Sequence, residues 1–137
     1  MNSNSTWGNL VILIGAIMVG FAIPHLIDDF LFNVPVDFGL SNIQAQFLAG
    51  VFSAILIVVF SLAARGKKLG YIGASFLGGF LSLAGILKHI PRILKPGPYW
   101  SGLFSEILII GLIMSGILLL IVSILALRND GQKSLSE

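Results

Sequence analysis

The sequence predicts an all-α integral membrane protein, a bundle of four transmembrane helices in one domain spanning residues 1–137. Hydrophobic residues make up 56% of the chain and charged residues only 10%, whereas a soluble domain carries about 25% charged residues. The charges are clustered, which leaves four uncharged stretches, each long enough to cross a hydrocarbon core of about 30 Å as a helix. Because lipid offers no partner to backbone amides, and the stretches do not alternate with a period of two, we expect helices rather than strands.

The expected spans follow these stretches in order along the chain. They cover residues 7–27, 43–64, 69–87 and 107–127. The connecting segments are outer loops at 28–42 and 88–106, a basic inner turn at 65–68 and an inner tail at 128–137. The short turn and both termini therefore lie on one side of the bilayer, and the two long loops lie on the other.

Two helix starts carry capping residues. Ser41 with Gln44 three positions later is typical of a capping box, which would open the second span. Ser105 followed by Glu106 places a hydroxyl cap and a negative charge where the helix dipole of the fourth span favours them.

Small residues recur at four-residue spacing in every span, a pattern that allows close helix packing in lipid. The third span has the longest ladder, formed by Gly70, Ala74, Gly78 and Ser82. The other spans have one pair each: Ala16 and Gly20, Gly50 and Ala54, and Gly111 and Ser115. We expect these positions to face neighbouring helices.

The two halves of the chain also resemble each other. His25 aligns with His89, and the same offset aligns Ser41 with Ser105. One interpretation is a pair of tandem helical hairpins related by pseudo-two-fold symmetry about the membrane normal. The other interpretation is that apolar runs match one another by composition alone.

Ionisable residues adjoin the spans at the outer face and form the candidate site. They are His25, Asp28, Asp29, Lys88, His89, Arg92 and Glu106. His25 shares a helical face with Asp28 and Asp29, at spacings of three and four. The first outer loop is acidic and the second basic, so ion pairs between them are one expectation. The middle of each span lacks ionisable groups, which disfavours a proton relay or an ion pump.

Three interpretations of this cluster stay open at this point. It can be structural, with Asp28 or Asp29 paired to Lys88 or Arg92. His25 and His89 can bind a transition metal or haem, since the ligand types fit, although the sequence has neither a metal-spacing signature nor a haem attachment motif. The basic residues of the second outer loop can also hold an anion or a lipid headgroup. The sequence does not identify a cofactor or a metal.

The sequence lacks a glycine-rich phosphate loop, a Gly-x-Ser-x-Gly elbow and a His-Glu-x-x-His motif, and it has no cysteine. We therefore expect a non-catalytic structural, accessory or small-ligand-binding subunit rather than an enzyme. The alternatives are a redox or metal/haem-binding protein using His25 and His89, and a minimal homo-oligomeric transporter. The expected partners are the lipid bilayer and either further copies of the chain or a larger membrane complex. A net charge of only +2 disfavours nucleic acid.

Basic residues favour one orientation in the cell membrane, because Lys and Arg prefer the cytoplasmic side. The inner turn and tail carry Arg65, Lys67, Lys68, Arg128 and Lys133. The opposite side has only Lys88, Arg92 and Lys95. We therefore expect both termini in the cytoplasm.

The absence of cysteine makes this orientation directly testable. In intact cells, an impermeant maleimide is expected to label Asp37→Cys, whereas Lys67→Cys is expected to react only after the membrane is permeabilised. Labelling of Lys67→Cys but not Asp37→Cys in intact cells would show the reverse orientation.

Overall fold

The structure is a computed structural model that describes residues 3–97 and 99–133. Its helices are α1 Ser3–Leu31, α2 Val34–Asp37, α3 Asn42–Ala64, α4 Lys68–Ile93 and α5 Leu103–Lys133. All except α2 are long and apolar enough to cross a membrane. The described residues contain no strand, so the predicted all-α bundle of four membrane-spanning helices is confirmed.

The long helices extend beyond the expected spans. α1 continues through Pro24 to Leu31, and α4 continues through Pro91 to Ile93. A proline inside a helix removes one backbone hydrogen bond, and here the surrounding turns continue. The expected boundaries marked where hydrophobicity falls, but helical hydrogen bonding continues past that point. The outer loops are therefore shorter than expected, and the first contains the single turn α2.

The predicted inner tail is also partly helical. α5 continues to Lys133, so residues 128–133 extend the fourth membrane helix. Residues 134–137 of the predicted tail lie outside the described part of the chain.

The two capping predictions have different outcomes. The capping box at the start of α3 is confirmed: the Gln44 backbone N–H donates to Ser41 Oγ at 3.3 Å, and the Ser41 N–H donates to Gln44 Oε1 at 2.9 Å. The cap expected at Ser105 is wrong, because α5 already begins at Leu103 and Ser105 lies within its first turn. The Ser105 hydroxyl instead accepts a hydrogen bond from the Ser101 N–H at 3.0 Å.

α5 is the central helix of the bundle. It packs extensively against both α4 and α1, whereas α3 makes fewer contacts, with α4 and α1, and is largely exposed. Fully buried side chains along these interfaces include Val11 and Met18 of α1, Tyr71 of α4, and Ile109 and Leu119 of α5. The core therefore lies between α1, α4 and α5, with α3 at its edge.

The small-residue ladder of α4 lies at helix interfaces, as expected, and all four of its residues are buried. A Cβ at Gly78 would lie 2.5 Å from the Gly116 carbonyl oxygen of α5. One turn further along α4, the Ser82 hydroxyl donates to the Ile113 carbonyl at 3.0 Å. Only glycine permits this approach of α4 to α5.

The same expectation is wrong for the small residues of α1 and α3. Ala16, Gly20, Gly50 and Ala54 are exposed, and a Cβ at Gly20 or Gly50 would meet no other atom within 4 Å. Spacing alone does not distinguish an interface from a lipid-facing surface, because small apolar residues are compatible with both.

The two halves of the chain also differ in packing. α4 and α5 form a closely packed hairpin, whereas α1 and α3 pack less extensively against each other. His25 and His89 lie at similar depth, since their rings are in contact, but Ser41 caps its own helix and Ser105 does not. An ancestral duplication therefore stays a hypothesis.

Adjacent glycines of α4 provide a test of the close approach to α5. Gly78→Ala is expected to lower the free energy of unfolding by about 1–3 kcal/mol, because its methyl group would overlap the α5 backbone. Gly79→Ala is the matched control: a Cβ there would lie 3.8 Å from the nearest atoms, two methyl carbons of Leu120, so we expect little loss. Unfolding of the purified proteins in detergent measures both, and equal losses would contradict the packing argument.

Candidate functional site

The outer ends of α1 and α4 bring the two histidines together. Their ring centroids are 4.9 Å apart, with the rings edge to face. Both side chains are buried, with His25 6% and His89 7% exposed. Asp28 and Asp29 lie on the same part of α1, as the helical spacing predicts. The structure therefore assembles the histidine pair and both carboxylates at one end of the bundle.

Two aromatic residues from the segment before α5 enclose this pair. The Trp100 ring stacks on His25 with centroids 6.4 Å apart and meets His89 edge-on at 5.5 Å. Tyr99 is buried, and its hydroxyl forms a hydrogen bond with His89 Nδ1, the donor depending on the tautomer of the ring. Burial raises the pKa of Tyr99, and the negative charge of Asp29 acts in the same direction, so the phenol stays protonated.

Asp28 connects α1 to the start of α5. Its side chain is 3% exposed and accepts hydrogen bonds from the hydroxyl groups of Ser101 and Ser105. Ser105 is itself completely buried. Ser105 therefore bonds across the bundle: its hydroxyl donates to a carboxylate of α1, from a position inside the first turn of α5.

His25 and Asp29 differ from their neighbours because they retain unused polar atoms. His25 Nε2 lies 3.7 Å from Asp29 Oδ2. His25 Nδ1 and Asp29 Oδ1 are both buried, and neither has a hydrogen-bond partner among the described residues. Most buried polar groups in proteins are hydrogen-bonded, so these two atoms retain hydrogen-bonding capacity that no described residue uses.

The basic residues of the candidate site contact aromatic rings. Lys88 Nζ lies 3.7 Å from the centroid of the Phe38 ring, and the Arg92 guanidinium lies 5.4 Å from that of Trp100. Between described side chains, neither residue approaches a carboxylate within 4.0 Å, and Glu106 is half-buried in the first turn of α5 without an ion pair. The ion pairs expected between the loops are therefore not formed there, because Asp28 and Asp29 face inward to hydroxyl and imidazole groups.

The metal and haem interpretations receive little geometric support. The described residues contain no group of three or more His, Cys, Asp or Glu side chains placed to hold a metal ion. Bis-histidine haem ligation places the porphyrin between its two axial rings, whereas His25 and His89 are in edge-to-face contact. Metal binding by the two histidines stays a hypothesis.

A cavity of about 930 Å³ runs along α1 and α3 and reaches His25 and Asp29 at its outer end. Its remaining lining is almost entirely apolar and includes Ile12, Ala16, Ala49, Phe52 and Phe60. At a rise of about 1.5 Å per residue, the α1 residues that line it, from Ile12 to Asp29, extend over roughly 26 Å. We call this cavity the α1–α3 groove. Ala16, an exposed member of the predicted α1 pair, lines the groove instead.

Tyr99, Trp100 and Ser101 belong to the site, although the sequence did not predict them there. Tyr99 and Trp100 precede the fourth span, where aromatic residues typically mark the membrane interface, so their position alone does not indicate contact with histidine. The only available signal was their proximity in sequence to Ser105, which the repeat had already paired with Ser41.

No protein-family model, curated protein or solved structure matches this chain. Two features of the molecule therefore bear on function: the α1–α3 groove and the outer cluster, formed by His25, Asp28, Asp29 and His89 with Tyr99, Trp100, Ser101 and Ser105.

Two completely buried serines of α5 test the role of Asp28. Ser105→Ala removes one of the two hydroxyl donors to a buried carboxylate and is expected to destabilise the protein by about 1–3 kcal/mol. Ser123→Ala is the matched control, because Ser123 Oγ has no hydrogen-bond partner among the described residues, and its replacement should be neutral or stabilising. Unfolding in detergent measures both variants. A Ser105→Ala protein as stable as the wild type would contradict the structural role of this contact.

Proposed function

We propose that this protein is a non-catalytic membrane protein that binds a lipophilic small molecule in the α1–α3 groove, with the polar end of the ligand at His25 and Asp29. The observation that supports this most directly is an apolar cavity that ends at the buried His25 and the half-buried Asp29, each of which has one buried polar atom without a partner among the described residues. Its volume of about 930 Å³ falls within the range of roughly 300–1,000 Å³ that is typical of small-molecule sites.

The shape and polarity of the groove favour an elongated ligand. Apolar side chains of α1 and α3 line most of its length, with Ser53 and Ser61 among them, and the ionisable side chains, His25 and Asp29, lie at the outer end. A hydrocarbon chain would lie along the helices, and its head would supply partners for His25 Nδ1 and Asp29 Oδ1. Leaving such buried groups unpaired costs about 1–3 kcal/mol each, so a bound head group would stabilise this end of the bundle.

The orientation favoured by the basic residues places this polar end near the outer surface of the cell membrane, with both termini in the cytoplasm. A ligand would then enter laterally from the outer leaflet between α1 and α3. α3 is largely exposed, so assembly with further copies of the chain through this helix is compatible with the proposal.

Binding can be tested with three tritiated probes that share a sixteen-carbon chain: hexadecanol, hexadecanoic acid and hexadecylamine. Scintillation proximity measurements on the purified protein in detergent are expected to show saturable binding of at least one. Ala49→Phe is expected to weaken that binding about tenfold or more, equivalent to about 1.4 kcal/mol, because its ring occupies the groove.

Ala54→Phe is the matched control, since Ala54 is an exposed alanine of the same helix that does not line the groove. We expect its affinity to stay within about twofold of the wild type, a difference of only a few tenths of a kcal/mol. The proposal fails if none of the probes binds saturably. It also fails if Ala49→Phe and Ala54→Phe bind equally well.

A further inference from the structure

We infer that the α1–α3 groove selects a ligand with an uncharged hydroxyl head over ligands of the same chain with an anionic or a cationic head. This inference rests on the ligand-binding function proposed above and concerns only the chemistry of the head group. It follows from the atoms left unpartnered at the outer end and from the charges that surround them.

The unpartnered atoms are complementary to a hydroxyl group. Asp29 Oδ1 is a buried carboxylate oxygen and can accept a hydrogen bond, while His25 Nδ1 accepts or donates one according to its tautomer. A hydroxyl group both donates and accepts, so it can donate to the carboxylate and can pair with either tautomer of the imidazole. Ether and ester oxygens can only accept, and they offer nothing to Asp29.

Neighbouring groups in the cluster do not compete for this role. Asp28 is already hydrogen-bonded to Ser101 and Ser105, and His89 Nδ1 to Tyr99. Among the described residues of the outer cluster, His25 and Asp29 are therefore the two with buried atoms still without a partner. Both residues also line the groove, so their unused hydrogen-bonding capacity lies beside the outer end of the apolar cavity.

The surrounding charges disfavour a charged head of either sign. The Asp28 carboxylate lies at this end, next to Asp29, and would repel an anion in surroundings of low dielectric constant. The Lys88 ammonium lies over Phe38, which lines the groove, and would repel a cation at the mouth.

Desolvation adds to this selection. To reach His25, which is 6% exposed, a charged head would have to lose most of its water, at a large cost unless a buried counter-charge compensates. Carboxylates lie at this end and the Lys88 ammonium lies at the mouth, so a head of either charge meets a like charge as well as an opposite one. An uncharged hydroxyl head loses less hydration and can still donate to Asp29 or pair with His25.

The wild-type protein tests the inference without any substitution. At neutral pH, hexadecanol is expected to bind at least about tenfold more tightly than hexadecanoic acid and hexadecylamine. The methyl ether of hexadecanol, which accepts but cannot donate, is expected to bind about tenfold more weakly than the alcohol. These probes differ only at the head, so the comparison isolates what His25 and Asp29 recognise.

Asp29→Asn changes the recognition in a defined direction. It removes the carboxylate charge and adds an amide donor, so the preference for hexadecanol over hexadecanoic acid should fall about tenfold. Asp37→Asn is the matched control, because Asp37 is an exposed carboxylate of α2 that does not line the groove, and its preference should equal that of the wild type.

The possible outcomes are distinct. Tightest binding of the acid would show an anion site, and tightest binding of the amine would show a cation site paired with Asp29; either result overturns the inference. Equal binding of all the probes, with Ala49→Phe still weakening it, would overturn the head-group selection while leaving the groove as a ligand site. Saturable binding of none of them would overturn the proposed function itself.

Discussion

The close approach of the α4 and α5 backbones at Gly78 and Gly116 is the constraint on which the outer site depends. In lipid, helices gain little from the hydrophobic effect, so their association depends on van der Waals contact and interhelical hydrogen bonds. The Ser82 hydroxyl adds one such bond, to the Ile113 carbonyl. With α4 on one side of α5 and α1 on another, the outer ends of α1 and α4 lie together, and His25 contacts His89.

The position of α3 follows from the same packing. α1, α4 and α5 satisfy one another's interfaces, so α3 lies at the edge of the bundle and packs partly on α4 and partly on α1. Alanines on both sides, including Ala16, Ala45 and Ala49, leave the space between α1 and α3 incompletely filled. A fully packed core would bury this space with larger side chains, so the groove is compatible with occupation by lipid or ligand.

Most of the polar outer cluster stabilises the fold, and only part of it remains available for recognition. Asp28 links α1 to Ser101 in the segment before α5 and to Ser105 in the first turn of α5. Tyr99 and Trp100 hold the histidine rings from the same segment. The polar atoms of the described outer cluster that remain without hydrogen-bond partners belong to His25 and Asp29, where the outer cluster adjoins the apolar groove. Because of this division, one group of residues can both hold the outer ends of the helices together and form the polar end of a binding site.

The sequence by itself determined the all-α class, the order of the four membrane helices and the capping box of α3, because these depend on apolar stretches and on contacts within a few residues. It also identified the α4 ladder and the positions of both histidines. Only the tertiary structure decided that Ala16 lines a groove, and that Asp28 pairs with serines 73 and 77 residues away rather than with Lys88 or Arg92. Such pairings depend on the rotation of each helix about its own axis and on which neighbour it meets. Local periodicity does not determine either, since an apolar helix in lipid can be hydrophobic on every face.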